Sequence, residues 1–167
     1  MKKLLLLLSV LVLGFTGQAM ANHEIHVKKS VKINASADKV WTKIADFGDL
    51  GAWHPAVAKT EIVEGTNNEK GTKRLLTLQD GGKINETLTA YSAKKRTMSY
   101  IITESVLPVD AYSATLTVKA AGKGKSIVSW TAHFKAKAGS DDKTAEDTIN
   151  GVFDGGLGNL KKILETM

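Results

Sequence analysis

The longest run of regularly spaced apolar residues lies at the carboxy-terminal end of the chain, between Asp142 and Met167. Its apolar residues recur at spacings of three and four: Ile149, Val152, Phe153, Leu157, Leu160, Ile163 and Leu164. This period places them on one face of an α-helix. Asp141 can cap the start of the helix, and Lys161 and Lys162 suit the partial negative charge at its end. The pattern predicts a long amphipathic helix whose apolar face covers the rest of the domain.

Four glycines interrupt this predicted helix, and each costs about 1 kcal/mol relative to alanine in a helix interior. Gly156 falls within the apolar face, where a missing side chain allows either close approach to the sheet or space above a cavity. Gly151, Gly155 and Gly158 fall on the opposite face. Three explanations of these outward-facing glycines remain open: they form a hinge in the helix, they provide a flat surface for a partner's backbone, or they are simply tolerated.

Alternating apolar and polar residues predict seven β-strands before this helix. The expected strands span 25–33, 57–63, 72–78, 83–91, 97–104, 111–120 and 126–135. Between the first two, Ser36 caps a short helix that ends at Ala45, and a second helical turn precedes Pro55. Turns rich in glycine, asparagine and aspartate join the later strands, which must therefore pair in antiparallel fashion.

The order of these elements is one strand, two short helices, six strands and one long helix. It predicts an α+β helix-grip fold, in which a seven-stranded, curved antiparallel sheet wraps around the long C-terminal helix. A single curved sheet closed by one helix tends to enclose a cavity.

The amino-terminal segment has the pattern of a secretory signal peptide. Three residues, Met1-Lys2-Lys3, form a basic start, an apolar run follows from Leu4 to Phe15, and Ala19-Met20-Ala21 fits the cleavage site. The apolar run is shorter than the roughly 20 residues of a membrane-spanning helix. We therefore expect a leader at 1–21, an exported domain at 22–167, a periplasmic location and no membrane span.

Composition narrows the classes of function. The chain has no cysteine, which excludes thiol nucleophiles, iron–sulfur sites and covalently attached haem. Its four histidines form no H-E-x-x-H motif, and His23 and His26 would point to opposite faces of a strand, so no metal or other cofactor is expected. The net charge of +6 comes from scattered lysines, which argues against nucleic-acid binding.

The motif Trp53-His54-Pro55 lies in a predicted loop at the mouth of the expected cavity. Trp53 is a candidate ligand-binding residue, and His54 is a candidate acid/base or hydrogen-bonding group for a ligand. The alternative is that Trp53 and Pro55 pack the loop while His54 is solvated. The sequence contains no nucleophile motif, and we assign no catalytic residue.

Glu86 shares strand parity with apolar neighbours, so its carboxylate should face the core and need a partner, for which Arg74 is a candidate. Tyr100 and Trp130 fall on inward positions of their strands, and Phe153 on the inward face of the helix. These side chains fit a pocket for a small apolar or aromatic ligand, and they also fit an ordinary core, which the sequence favours.

Several segments together resemble the SRPBCC superfamily, which includes START-like and Bet v 1-like domains and polyketide cyclases. They are Ile33 to Trp41, Asp46-Phe47, Trp53 to Val57, Ile84 to Glu86, Met98 to Tyr100, Val128 to Trp130, and Gly156 to Lys162. The resemblance covers nearly all of the chain after the leader. It implies a helix-grip domain around a ligand cavity.

Within that superfamily, the size and leader are similar to those of the periplasmic MxaD-like proteins of methanol oxidation. That resemblance implies a non-enzymatic accessory protein whose partner is a periplasmic dehydrogenase or cytochrome. Two alternatives remain. One is an enzyme of the cyclase or dehydratase type with Glu86 or His54 as acid/base, and the other is a carrier of a lipid or hydrophobic metabolite.

Overall fold

The computed structural model describes residues 23–166. The predicted leader at 1–21 lies outside this range. The described elements, in chain order, are β1 (Ile25–Ile33), α1 (Ala37–Ile44), a 3₁₀ helix (Phe47–Ala52), β2 (Val57–Glu64), β3 (Lys73–Leu78), β4 (Lys83–Ser92), β5 (Thr97–Ser105), β6 (Val109–Ala120), β7 (Ser126–Ala136) and α2 (Asp142–Glu165).

The seven strands form one antiparallel sheet in the order β1-β7-β6-β5-β4-β3-β2. Strands β2 to β7 follow one another as a meander, and β1 completes the sheet by pairing with β7, from Ile25 opposite Phe134 to Ile33 opposite Ser126. The two short helices connect the sheet's opposite edges, β1 and β2. This arrangement confirms the predicted helix-grip fold.

Bulges interrupt the pairing of β2 with β3, β4 with β5 and β6 with β7. Such irregularities bend strands and increase their twist, so they favour a curved sheet. In β6 the shift lies between Asp110 and Ser113, where Ala111 has a φ of +50°. The strand therefore begins at Val109, two residues before the predicted start, because the bulge breaks the alternation on which the prediction depended.

Helix α2 begins as predicted, with the Asp141 carboxylate accepting a hydrogen bond of 2.8 Å from the Thr144 backbone N–H. Its buried face contains Ala145, Ile149, Phe153, Gly156, Leu157, Leu160 and Leu164. This face packs on β1 and β7. An exposed ion pair of 2.9 Å between Lys29 and Asp154 also joins β1 to the helix.

The core lies between the inner face of the sheet and the helices, and its fully buried side chains come from both. Val40, Trp41 and Ile44 of α1 are buried in it, as their spacing predicts. Within residues 23–166, no helix has the length and apolar character required to cross a membrane.

Candidate functional site

A mainly apolar cavity lies between α2, the loop after the 3₁₀ helix and the inner face of the sheet. The cavity has a volume of about 70 Å³, on the same measure by which one water molecule needs only about 10–15 Å³. Its apolar walls include Leu76, Leu78, Ile84, Ile102, Leu107 and Ile149. Four polar side chains, His54, Glu86, Tyr100 and Tyr112, also line it. A space of this kind holds a molecule with an apolar body and few polar groups.

Tyr100, Tyr112 and Trp130 lie together at the cavity wall. Trp130 Nε1–H donates to the Tyr100 hydroxyl oxygen over 2.9 Å, and the ring of Tyr112 lies beside that of Tyr100 with the two centres 6.4 Å apart. Burial raises the pKa of both tyrosines above the ordinary value, so both hydroxyls keep their protons at neutral pH. The cavity wall thus presents neutral phenol groups.

Arg74 and Glu86 form the buried pair that their strand parity predicts. They lie opposite each other on β3 and β4, and Arg74 Nε and Nη2 approach Glu86 Oε2 at 2.7 and 2.6 Å. Arg74 Nη1 also donates to the Phe47 carbonyl over 2.6 Å, and the guanidinium lies 4.0 Å above the centre of the Phe47 ring. Burial raises the pKa of Glu86, and the charge and hydrogen bonds of Arg74 oppose that rise. Arg74 therefore keeps a charged carboxylate tolerable beside an apolar cavity.

His54 is buried, with 3% of its surface exposed, so the alternative of a solvated His54 is wrong. Its Nε2 lies 3.0 Å from the Val152 carbonyl of α2, and its Nδ1 accepts from the Ala56 backbone N–H over 3.2 Å. Because a carbonyl can only accept, Nε2 carries the proton and the ring is neutral. Burial also lowers the pKa of His54. Nε2 thus attaches the loop to α2, and Nδ1 is used by a hydrogen bond within the loop itself.

Gly156 makes room for this histidine. A Cβ built at Gly156 would lie 2.6 Å from His54 Cδ2 and 3.0 Å from Trp130 Cζ3. The absence of a side chain at Gly156 therefore allows α2 to approach closely both the His54 loop and strand β7, as proposed for this glycine. Asn159, one turn further along α2, donates a hydrogen bond of 2.9 Å to the Trp53 carbonyl and fixes the same loop.

The structure brings most of the predicted ligand-binding residues together. His54, Glu86, Tyr100, Trp130 and Phe153 line the cavity, and Phe153 stacks on Trp130 with ring centres 4.3 Å apart. Trp53 does not line it. The ring of Trp53 packs beside Trp130 at 5.6 Å and borders a much smaller space next to Arg74.

Tyr112 is a cavity residue that sequence reasoning missed. The alternation of Ala114, Leu116 and Val118 on the inner face of β6 extends back to it and was a usable signal. Val152 and Leu107 also line the cavity although each is only partly buried.

A separate polar cluster combines Glu24, His26 and His133, one potential metal-ligating atom of each lying within 4.8 Å of the others. The sequence suggested no metal site, since His26 and His133 are far apart in the chain. Only the pairing of β1 with β7 places them side by side.

Two solved structures from Bacillus species share the fold of this chain over nearly their whole length. The protein XoxI from Bacillus cereus is 29% identical, with a TM-score of 0.78 over 84% of this chain and 95% of its own. An uncharacterized protein from Bacillus thuringiensis is 30% identical, with a TM-score of 0.78 over 84% of this chain and 99% of its own.

A START superfamily protein from Mycobacterium smegmatis, 14% identical, has a TM-score of 0.71 over 84% of this chain and 97% of its own, and shows the fold alone. No curated protein matches the sequence significantly. A family model described as polyketide cyclase / dehydrase and lipid transport matches residues 24–165. The chain therefore belongs to the polyketide cyclase / dehydrase and lipid transport family.

Proposed function

We propose that this protein binds a small, mainly apolar molecule in the cavity between α2 and the sheet. The observation that carries the proposal is the cavity itself, since close packing normally leaves few voids larger than a water molecule. Its walls are aliphatic and aromatic, which favours an apolar ligand over a charged one.

The polar groups suggest how such a ligand would be oriented. Tyr100 and Tyr112 line the cavity and keep their phenol protons, whereas the indole N–H of Trp130 is already used in its hydrogen bond to Tyr100. A phenol O–H can donate a hydrogen bond to an acceptor on the ligand. We therefore infer that the ligand carries one acceptor group, such as a carbonyl or hydroxyl oxygen, at its polar end.

The contacts favour binding over catalysis. An enzyme of the cyclase or dehydratase type would need an acid or base that can exchange a proton with its substrate. Both ring nitrogens of His54 are held by backbone groups, and Glu86 is held by the guanidinium of Arg74. A binding or carrier role needs neither group to change protonation state.

The proposal is tested by filling the cavity. Val152 lines the cavity from α2 and is only partly buried, so Val152→Phe should place a ring over the ligand space with little cost in stability. We expect the variant to lose most of its affinity for the uncharged, environment-sensitive probe N-phenyl-1-naphthylamine, measured by fluorescence titration. Native mass spectrometry of the gently purified protein should show a bound molecule that the variant lacks.

Val63→Phe is the matched control, because Val63 is 56% exposed on β2 and does not line the cavity. It adds the same ring at the surface and should bind the probe as the wild type does. If Val152→Phe and the wild type bind equally while both remain folded, the cavity is not the binding site.

The accessory role in alcohol oxidation and the periplasmic location also remain proposals. They rest on the sequence resemblance to MxaD-like proteins and on the leader pattern of residues 1–21. Cell fractionation tests the location. Co-purification from the soluble extract tests the partner, and failure to retain a dehydrogenase or cytochrome would argue against this role while leaving ligand binding intact.

A further inference from the structure

A group of metal-ligating side chains lies on the outer face of the sheet, opposite the cavity. Along β1, Ile25 and Val27 point inward, so Glu24 and His26 share the outer face. The register pairs His26 with His133 of β7, which is likewise exposed between buried neighbours. Two of the four histidines in the chain thus meet beside one carboxylate.

The distances between these side chains allow them to bind one metal ion together. His26 Nε2 lies 3.4 Å from Glu24 Oε2, and the rings of His26 and His133 are edge-to-face with centres 4.2 Å apart. The potential ligating atoms all lie within 4.8 Å of one another. Around a tetrahedral Zn²⁺ with bonds of about 2.1 Å, ligand atoms are separated by about 3.4 Å. Exposed side chains can close that difference by small rotations, without any movement of the strands.

We propose that Glu24, His26 and His133 form a binding site for a divalent transition metal ion such as Zn²⁺. Two imidazoles and a carboxylate are ligands that Zn²⁺ and Cu²⁺ accept, whereas Mg²⁺ and Ca²⁺ prefer oxygen ligands alone. Three protein ligands leave at least one coordination position for water or for a group from another molecule. The bound ion would also join the edge strand β1 to β7. This site is independent of the cavity and of the function proposed for it.

The test is isothermal titration calorimetry of untagged protein with zinc chloride alone. The wild type should bind one equivalent, and His26→Ala and His133→Ala should each weaken binding by at least about tenfold. Thr131→Ala, on β7 two residues from His133, is a control that should leave the affinity unchanged. Circular dichroism of each variant verifies that the sheet is intact, as expected because His26 and His133 are exposed and Thr131 is only half-buried.

A second measurement locates the ion. Sub-stoichiometric Cu²⁺ should selectively broaden the amide resonances of residues 24–27 and 132–134 in a nitrogen–proton correlation spectrum. Absence of zinc binding by the wild type would overturn the proposal. Binding that survives His133→Ala but is lost in His23→Ala would overturn it as well, because the ion would then be held by the amino-terminal segment without β7.

Discussion

Gly156→Ala is an informative single change in this protein, because helix propensity and the packing around the residue predict opposite outcomes for it. Considered only as a helical position, Gly156 should be improved by alanine, with a gain of about 1 kcal/mol in the free energy of unfolding. In the folded protein the new methyl group would lie 2.6 Å from His54 Cδ2 and 2.9 Å from His54 Nε2. These separations are well below van der Waals contact, so the histidine or the helix must move.

The cost of that movement has two parts. Overpacking of a well-filled interior costs about 1–3 kcal/mol. Displacing the His54 ring also breaks its 3.0 Å hydrogen bond to the Val152 carbonyl, and a buried group left without its partner costs about 1–3 kcal/mol. Subtracting the helix gain of about 1 kcal/mol leaves a net loss of roughly 1–5 kcal/mol in the free energy of unfolding.

Gly155→Ala provides the matched control on the neighbouring residue of the same helix. A Cβ at Gly155 meets no atom within 4 Å, so only the helix gain remains, and the free energy of unfolding should rise by up to about 1 kcal/mol. Urea unfolding followed by far-ultraviolet circular dichroism measures both variants without relying on the tryptophans near the site. A Gly156→Ala protein at least as stable as Gly155→Ala would refute the close contact between α2 and the His54 loop.

The remaining predictions concern the buried polar groups. Arg74→Met leaves the Glu86 carboxylate buried without a partner and should cost about 3–5 kcal/mol in urea unfolding, and adding Glu86→Leu should recover part of that loss. His54 has a lowered pKa in the folded state, so below its unfolded pKa of about 6.5 the unfolded chain binds more protons. Stability should therefore fall as the pH drops from about 6.5 toward the folded pKa, and His54→Gln should reduce that decline; an unchanged pH profile would contradict the neutral buried ring. Tyr100→Phe removes the acceptor for Trp130 Nε1–H and should cost about 1–3 kcal/mol in the same unfolding assay, whereas a cost below about 0.5 kcal/mol would show that another group satisfies the indole.

The sequence could determine those features of the fold that depend on patterns repeated over short stretches of chain. The apolar stripe of α2, the alternation of the strands and the glycine-rich turns depend on neighbours a few residues apart, so element types and the helix-grip order follow from them. The Arg74–Glu86 pair was also predictable, because strand parity puts both side chains inside an apolar core where neither charge is tolerated alone.

Features that depend on which distant segments meet could not be obtained in this way. His54 is indistinguishable in sequence from a solvated loop histidine, and only the Val152 carbonyl and the space above Gly156 make it a buried, neutral hydrogen-bonding group. The bulge at Ala111 likewise shifted the start of β6, since a positive φ at a non-glycine residue is imposed by the surrounding sheet.

The cavity and the proposed metal site both depend on local sequence patterns and on long-range contacts, but to different extents. The sequence by itself determined that an amphipathic helix covers a curved antiparallel sheet and that aromatic and carboxyl groups face the space between them. Only the tertiary structure decided that this space remains open as a cavity and that Glu24, His26 and His133 converge outside it. The physical reason is that periodicity is encoded locally, whereas strand register and the fit between packed surfaces arise from contacts between residues far apart in the chain.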